Sequence, residues 1–479
     1  MRGRNTFLVI AVWATWVVLT AGAGTILVKQ DGTGDATTIQ AALDAASNGD
    51  TIEVADNGRY VEDLTASPVL AQAGLAPALA SFTLKASEGK KPVVEAANAE
   101  TSQRMIVLGV GGRDMLGCVL WGCNGVTIQG IEFANLENAV NAFNTSSSLV
   151  IADSANITVE NCTIRGPGER SPGDGSGILT AGVEAQPFRT DNITVRNCKV
   201  TECHYGVIFA VFQKGSGADP GQVTVEDCVF TNGFESAIDI DNAQNAVVRR
   251  CTFDNFNHGV HFAGGNSIVE DCLTMNSKAE GLEADIDENW NDQITGGVVR
   301  RCAFIGNGLD QRNPGIRCAD GPIRIENCII AGNGGVGLEV SASSTTDVIV
   351  TVDHCDFYQN LGDYEIHIAA PTRNDASLTI TNTNIVSDGG GIFNEYVPEA
   401  VTAHHNNVFV PVDPYINVTP ADSVSVDPMY VSPTMDSSQF TFKGFQLKPG
   451  SPVLAAGVGG TPIGSQGAQV TTVESWPVR

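Results

Sequence analysis

Ionisable residues recur at one place in a series of short apolar phrases. The phrases are GVEA from Gly182, GVIF from Gly206, AIDI from Ala237, GVHF from Gly259, GLEA from Gly281, GIRC from Gly315, GLEV from Gly337, EIHI from Glu365 and GIFN from Gly391. The second and fourth residues are almost always apolar and must face a core, so the third faces out of the strand. The outward row is Glu184, Ile208, Asp239, His261, Glu283, Arg317, Glu339, His367 and Phe393. Asp241 and Asp285 follow two residues later on their strands. Asp287, Glu288, Asn289 and Asp292 lie just beyond, beside Trp290.

Two chemistries fit these residue types. Elimination on a uronic acid polymer needs a cation against the sugar carboxylate and a base for the C5 proton. His261 or Arg317 would serve as the base, His261 being better placed near neutral pH. Calcium on Asp239, Asp241, Glu283, Asp285 and Asp287 would supply the cation, since it takes hard oxygen ligands. Inverting hydrolysis of a glycoside instead needs two carboxylates about 6.5–9.5 Å apart. Asp239 and Glu283, two strands apart, would stand at about 9.6 Å by strand spacing, before side-chain tilt. Trp290, Glu339 and His367 are candidates for holding the sugar. Asp285-x-Asp287-x-Asn289 has the start of a calcium loop, but Trp290 stands where that loop needs glycine. A plainer alternative is a ladder of opposite charges that stabilises the sheet by about 0.2–1 kcal/mol per pair and binds nothing.

Such a row exists only if something stacks the strands in register. A second phrase supplies it: ITVENCTI from Ile157, ITVRNCKV from Ile193, VTVEDCVF from Val223, AVVRRCTF from Ala246, SIVEDCLT from Ser267, GVVRRCAF from Gly297, IRIENCII from Ile323 and VTVDHCDF from Val350. Each is a strand, a turn residue, a cysteine and a second strand. The cysteines (Cys162, Cys198, Cys228, Cys251, Cys272, Cys302, Cys328, Cys355) are spaced 21 to 36 residues apart. A repeat of this length with no helical period predicts a solenoid of strands. Asn161, Asn197, Asp227, Asp271 and Asn327 suit a left-handed bend, after which the cysteine turns inward. The expected fold is all-β: a right-handed parallel β-helix solenoid with a short N-terminal capping helix and an irregular C-terminal cap.

The domain reading follows. Residues 1–23 read as a secretion signal, with Arg2 and Arg4 before an apolar stretch and Ala21-Gly22-Ala23 at its end. Residues 24–81 form an N-terminal cap and first strands. There Thr38 to Ala46 is expected to be a helix burying Ile39, Ala42 and Leu43. Residues 82–411 are the parallel β-helix, and 412–479 a C-terminal cap or tail. An extracellular or periplasmic location is expected, with no membrane span in the mature chain. The net charge of −27 opposes nucleic-acid binding. It fits a polyanionic substrate only where cations mediate. Eight of the twelve cysteines belong to the inward ladder and are expected to stay free, while Cys118 and Cys123 could pair.

The stretch DGTGDATTIQAALDAASNGDTIEV (Asp31 to Val54) resembles the opening of pectinesterases and other pectate-lyase-like β-helix proteins. The cysteine phrases resemble the parallel β-helix repeat of that superfamily. Asp427-Pro428 and Leu447-Lys448-Pro449-Gly450-Ser451-Pro452 are similar to the ending of secreted bacterial β-helix proteins. The resemblance implies the fold, and a substrate groove over the strand face that carries the row. It assigns no catalytic residue. The pectinesterase GxVDFIFG and QGRxD segments, the WIDH and RxPxxR phrases of family 1 pectate lyases, and the NTD, DD, GHG and RIK elements of polygalacturonases are missing. Only Asn257-His258-Gly259 faintly resembles the third of these last. The functional expectation is an exported protein acting on a polysaccharide, with a uronate lyase favoured. The alternatives are an inverting hydrolase on the same face and a non-catalytic binding or scaffold protein.

Overall fold

The computed structural model describes residues 23–68, 78–95, 106–107, 114–115, 118–134, 147–166, 176–182, 190–211, 221–240, 243, 245–285, 294, 296–342, 347–369 and 375–465. Three long sheets run the length of the chain, of 15, 13 and 13 strands, and every neighbour within them is parallel across consecutive coils. The first sheet holds the strands before each cysteine, such as Ala155–Glu160. The second holds those just after it, such as Thr163–Arg165. The third holds the row strands, such as His258–Phe262. Three strands and three corners make one coil of a parallel β-helix.

The corner between the first two sheets is built as its residue types imply. Asn161, Asn197, Asp227, Asp271 and Asn327 all have φ between 52° and 55°. Arg250, Arg301 and His354 adopt the same left-handed conformation. The following cysteines are buried and free. The Cys251 thiol, for example, lies 3.3 Å from the Arg249 carbonyl and 3.7 Å from Val225 O one coil earlier. Cys118, Cys123, Cys203 and Cys318 are also buried and free. Burial pushes the thiols of Cys203 and Cys318 up to about 12, so they are neutral packing groups and not nucleophiles.

Inside, like stacks on like. Ile238, Val260, Leu282, Ile316, Leu338, Ile366 and Ile392 form one column of the third sheet, all fully buried. Outside, the first sheet carries a register-perfect alternation of Glu160, Arg196, Glu226, Arg249, Glu270, Arg300 and Glu326. Its ion pairs include Arg249–Glu226 at 2.6 Å and Arg300–Glu270 at 2.7 Å.

The N-terminal end is covered, since open strand edges invite pairing with other chains. The helix Ile39–Ala45 forms at the N-terminal end as expected. Thr38 caps it, and Ile39, Ala42 and Leu43 are buried. The C-terminal residues extend the coil and then cover a face. The last coil strands are Tyr415–Ile416 and Pro420–Ala421, inside the span assigned to the tail. The chain then runs back along the outer face of the second sheet. Tyr430, Phe445, Leu447, Val453 and Ile463 bury Leu273, Met275, Ala303, Ile305, Ile329 and Ala331 there. Buried Asp356 anchors this return, accepting from Tyr430 Oη at 2.6 Å and the Ser465 amide at 2.9 Å. Ser437 reaches as far as Asn276, at 2.8 Å.

Candidate functional site

The outward row forms in register on the third sheet. Ile208, Asp239, His261, Glu283, Arg317, Glu339, His367 and Phe393 are successive cross-strand partners. The first position needs correction. Leu179 of the strand Ser176–Gly182, and not Glu184, pairs with Ile208, and the column continues back through Val150 and Val119. The phrase SGILTA stands directly before GVEA in the chain, and it stacks Ile178 and Thr180 on the inward Val207 and Phe209. Glu184, Asp241, Asp287, Glu288, Asn289, Trp290 and Asp292 lie outside the described residues, as do residues 1–22.

Two groups of contacts divide the row. Asp239, with its side chain 8% exposed, holds His261 Nδ1 at 2.9 Å. A proton shared on that nitrogen leaves the basic lone pair on Nε2. Two strands beyond His261, Arg317 reaches Glu283 Oε1 at 2.6 Å, Glu339 at 3.7 Å and Asp285 at 3.9 Å. Burial opposes the charge on Arg317, but Glu283, Asp285 and Glu339 outweigh it and raise its pKa. Three of the five carboxylates expected to gather calcium, Asp239, Glu283 and Asp285, thus already face a cationic or protonatable partner. At the far end His367 stacks on Phe393, centroids 5.3 Å apart and planes within 7°. Tyr364 packs against the same ring at 4.7 Å.

His258 joins the site without belonging to the row. Its Nδ1 lies 3.1 Å from Glu280 Oε2 and 3.3 Å from Glu283 Oε2, and its Nε2 lies 3.6 Å from Glu235 Oε1. Burial would push its pKa down, but the carboxylates of Glu280, Glu283 and Glu235 outweigh burial and raise it. His258, Glu280 and Glu283 each offer a ligand atom, all within 4.8 Å of one another.

Period-two alternation hides this histidine. Counted back from His261, it turns Gly259 outward and His258 inward. The glycine breaks the count. A Cβ on Gly259 would meet the inward Thr274 methyl at 2.1 Å and Gly281 O at 2.4 Å, so only glycine fits the corner. The chain then delivers His258 to the outer rim beside Glu280, which itself precedes Gly281. The signal was an ionisable residue directly before a strand-opening glycine in NHGVHF and AEGLEA.

Parallel sheets, an inward ladder and a charged outer face define a right-handed parallel β-helix protein. The family model described as "Right handed beta helix region" matches residues 176–351. No curated protein matches the sequence. Among solved structures the chain is similar to an alginate lyase, AlyF-OU02, at 12% identity, covering 86% of this chain and 88% of that one with a TM-score of 0.49. It is similar to the A-module of the Azotobacter vinelandii mannuronan C-5 epimerase AlgE4, at 13% identity over 81% and 90% of the chains, TM-score 0.42. It is also similar to PfbA, a surface adhesin of Streptococcus pneumoniae, at 11% identity over 73% and 88%, TM-score 0.39. At these identities and TM-scores the likeness assigns no function to this chain.

Proposed function

We propose that the protein is exported and acts on an acidic polysaccharide along the third sheet, removing the C5 proton of a uronate unit in a β-elimination. The observation that carries this is the Asp239–His261 pair, two strands from Arg317 on one outward row. Asp239 fixes the ring and stabilises the imidazolium that forms. His261 Nε2 takes the C5 proton, the C4–C5 double bond forms and the bond to the leaving oxygen at C4 breaks. Arg317 sits where it can offset the uronate carboxylate, which must hold negative charge as the proton leaves. The His367–Phe393 stack offers a flat face for a sugar ring further along. Glu339, and Trp290 beyond the described residues, complete the proposed binding surface.

The face holds more acid than base: Glu235, Asp239, Glu280, Glu283, Asp285 and Glu339 surround His258, His261 and Arg317. A polyanion approaching it needs a cation, and calcium is the one that Asp239, Asp241, Glu283, Asp285 and Asp287 would take in. The same surplus favours a second reading, inverting hydrolysis with Asp239 and Glu283 as the carboxylate pair.

Incubation with a panel of polyuronates and glycosaminoglycans, with calcium and with chelator, separates these readings. Elimination gives an ultraviolet-absorbing unsaturated product, and that product is the expected result, lost in Glu283→Ala. New reducing ends without it would replace elimination by hydrolysis. Neither product with any polymer would leave a binding or scaffold role.

A further inference from the structure

His258, Glu280 and Glu283 bring three potential ligand atoms together on the third-sheet face. Ligand atoms at about 2.0–2.1 Å from a single metal stand about 2.8–3.4 Å apart at octahedral or tetrahedral angles. His258 Nδ1 stands 3.1 Å and 3.3 Å from the two carboxylate oxygens. Yet Nδ1, buried as it is, makes no well-directed hydrogen bond to either. A salt bridge alone would point the N–H at one oxygen. All three ligand atoms lie within 4.8 Å of one another, the closeness a shared ion requires.

The surroundings repeat the pattern. A metal-bound histidine usually gives its other ring nitrogen to a carboxylate, and ligand carboxylates are themselves held by donors. His258 Nε2 faces Glu235 at 3.6 Å, and Glu283 keeps its other oxygen on Arg317 at 2.6 Å. The ligand side chains are well shielded, 14%, 8% and 13% exposed for His258, Glu280 and Glu283.

We propose that His258 Nδ1, Glu280 and Glu283 bind one divalent transition-metal ion of the zinc, cobalt or manganese class on the third-sheet face. One imidazole and two carboxylates suit that class better than calcium, which takes oxygen. The site shares only Glu283 with the carboxylates considered for calcium. Its protein ligands number three, so further positions are open to water or a sugar oxygen. Binding is measured without polysaccharide, so this inference and the lyase reading stand or fall separately.

The test uses the full chain, stripped with chelator and titrated with Co²⁺ and Zn²⁺ by calorimetry, with absorbance spectra of the cobalt form. One equivalent is expected per chain, with d–d bands and no thiolate charge-transfer band. Glu280→Gln and His258→Gln should each weaken binding at least tenfold. Glu235→Gln, which leaves all three ligands in place, should weaken it by about 10–100-fold. Arg300→Ala, on the first sheet, should bind as the wild type does. Absence of stoichiometric uptake by the wild type overturns the proposal, and that result depends on no variant folding. A thiolate spectrum, or full affinity in the folded variants, also overturns it.

Discussion

Two charged rows run along the same coils, and they differ in stoichiometry. On the first sheet the signs alternate strictly from Glu160 to Glu326, and each arginine meets a glutamate on the strand before it. On the third sheet acids outnumber bases, histidines enter, and several side chains are more than four-fifths buried. The first arrangement satisfies itself. The second holds carboxylates in low-dielectric surroundings with too few cations, which costs stability unless something else binds. The second sheet offers a third solution: from Leu273 to Ala331 its outer face is apolar and the returning C-terminal chain covers it. One solenoid thus shows a paired face, a covered face and an open acidic face, and the open one is the candidate site.

The largest expected effect is on turnover. His261→Ala should lower polysaccharide cleavage by about 10²–10⁴-fold, the range for loss of a general base, with little change in melting temperature. A small kinetic effect would put the third-sheet row on the same footing as the first-sheet ladder. Next comes stability without activity. Phe445→Ala should destabilise the fold by about 3–5 kcal/mol in denaturant titrations and leave cleavage unaltered in the folded fraction. Loss of cleavage by the folded variant would tie the covered face to the open one.

A buried carboxylate away from the site gives a pH-dependent contrast. Asn307, Asn333 and Asn360 form a buried ladder that ends on Glu365. Burial, only partly offset by Asn360 and Ser387, raises Glu365 to about 8. An acid raised on folding stabilises fully below its unfolded pKa, about 4.3, and that contribution is lost as pH climbs through about 8. Melting temperature should therefore fall with pH across that window, and Glu365→Gln should flatten the slope. An unchanged slope would mean that Glu365 is ionised throughout. The smallest effect belongs to the paired ladder: Arg300→Ala should cost at most about 1 kcal/mol and no activity.

The sequence displayed most of this scaffold because a solenoid repeats its local rules. Asn or Asp before cysteine marked the left-handed corner, and apolar alternation marked the inward columns. Arg250 and Arg301 show the limit of residue type: they hold the same corner with no intrinsic preference for it, beside Asp227 and Asp271 one coil earlier. The row from Asp239 to Phe393 was legible for the same reason. Three features were not. The true partner of Ile208, Leu179, was hidden because polar Thr180 fills an inward position that most of the other phrases give to an apolar residue. His258 was hidden by a glycine corner where alternation fails. The return of the tail was hidden because Tyr430, Phe445, Val453 and Ile463 follow no period. Outward apolar residues such as Leu273 and Ile329 were its only trace.

The most direct test of the site is a crystal of the His261→Ala variant soaked with a uronate oligosaccharide that the wild type cleaves. The sugar chain should lie along the third sheet, with a carboxylate within ion-pair distance of Arg317 and C5 over the space that the imidazole leaves. Density for the sugar on another face, or on the third sheet far from both residues, would contradict the account.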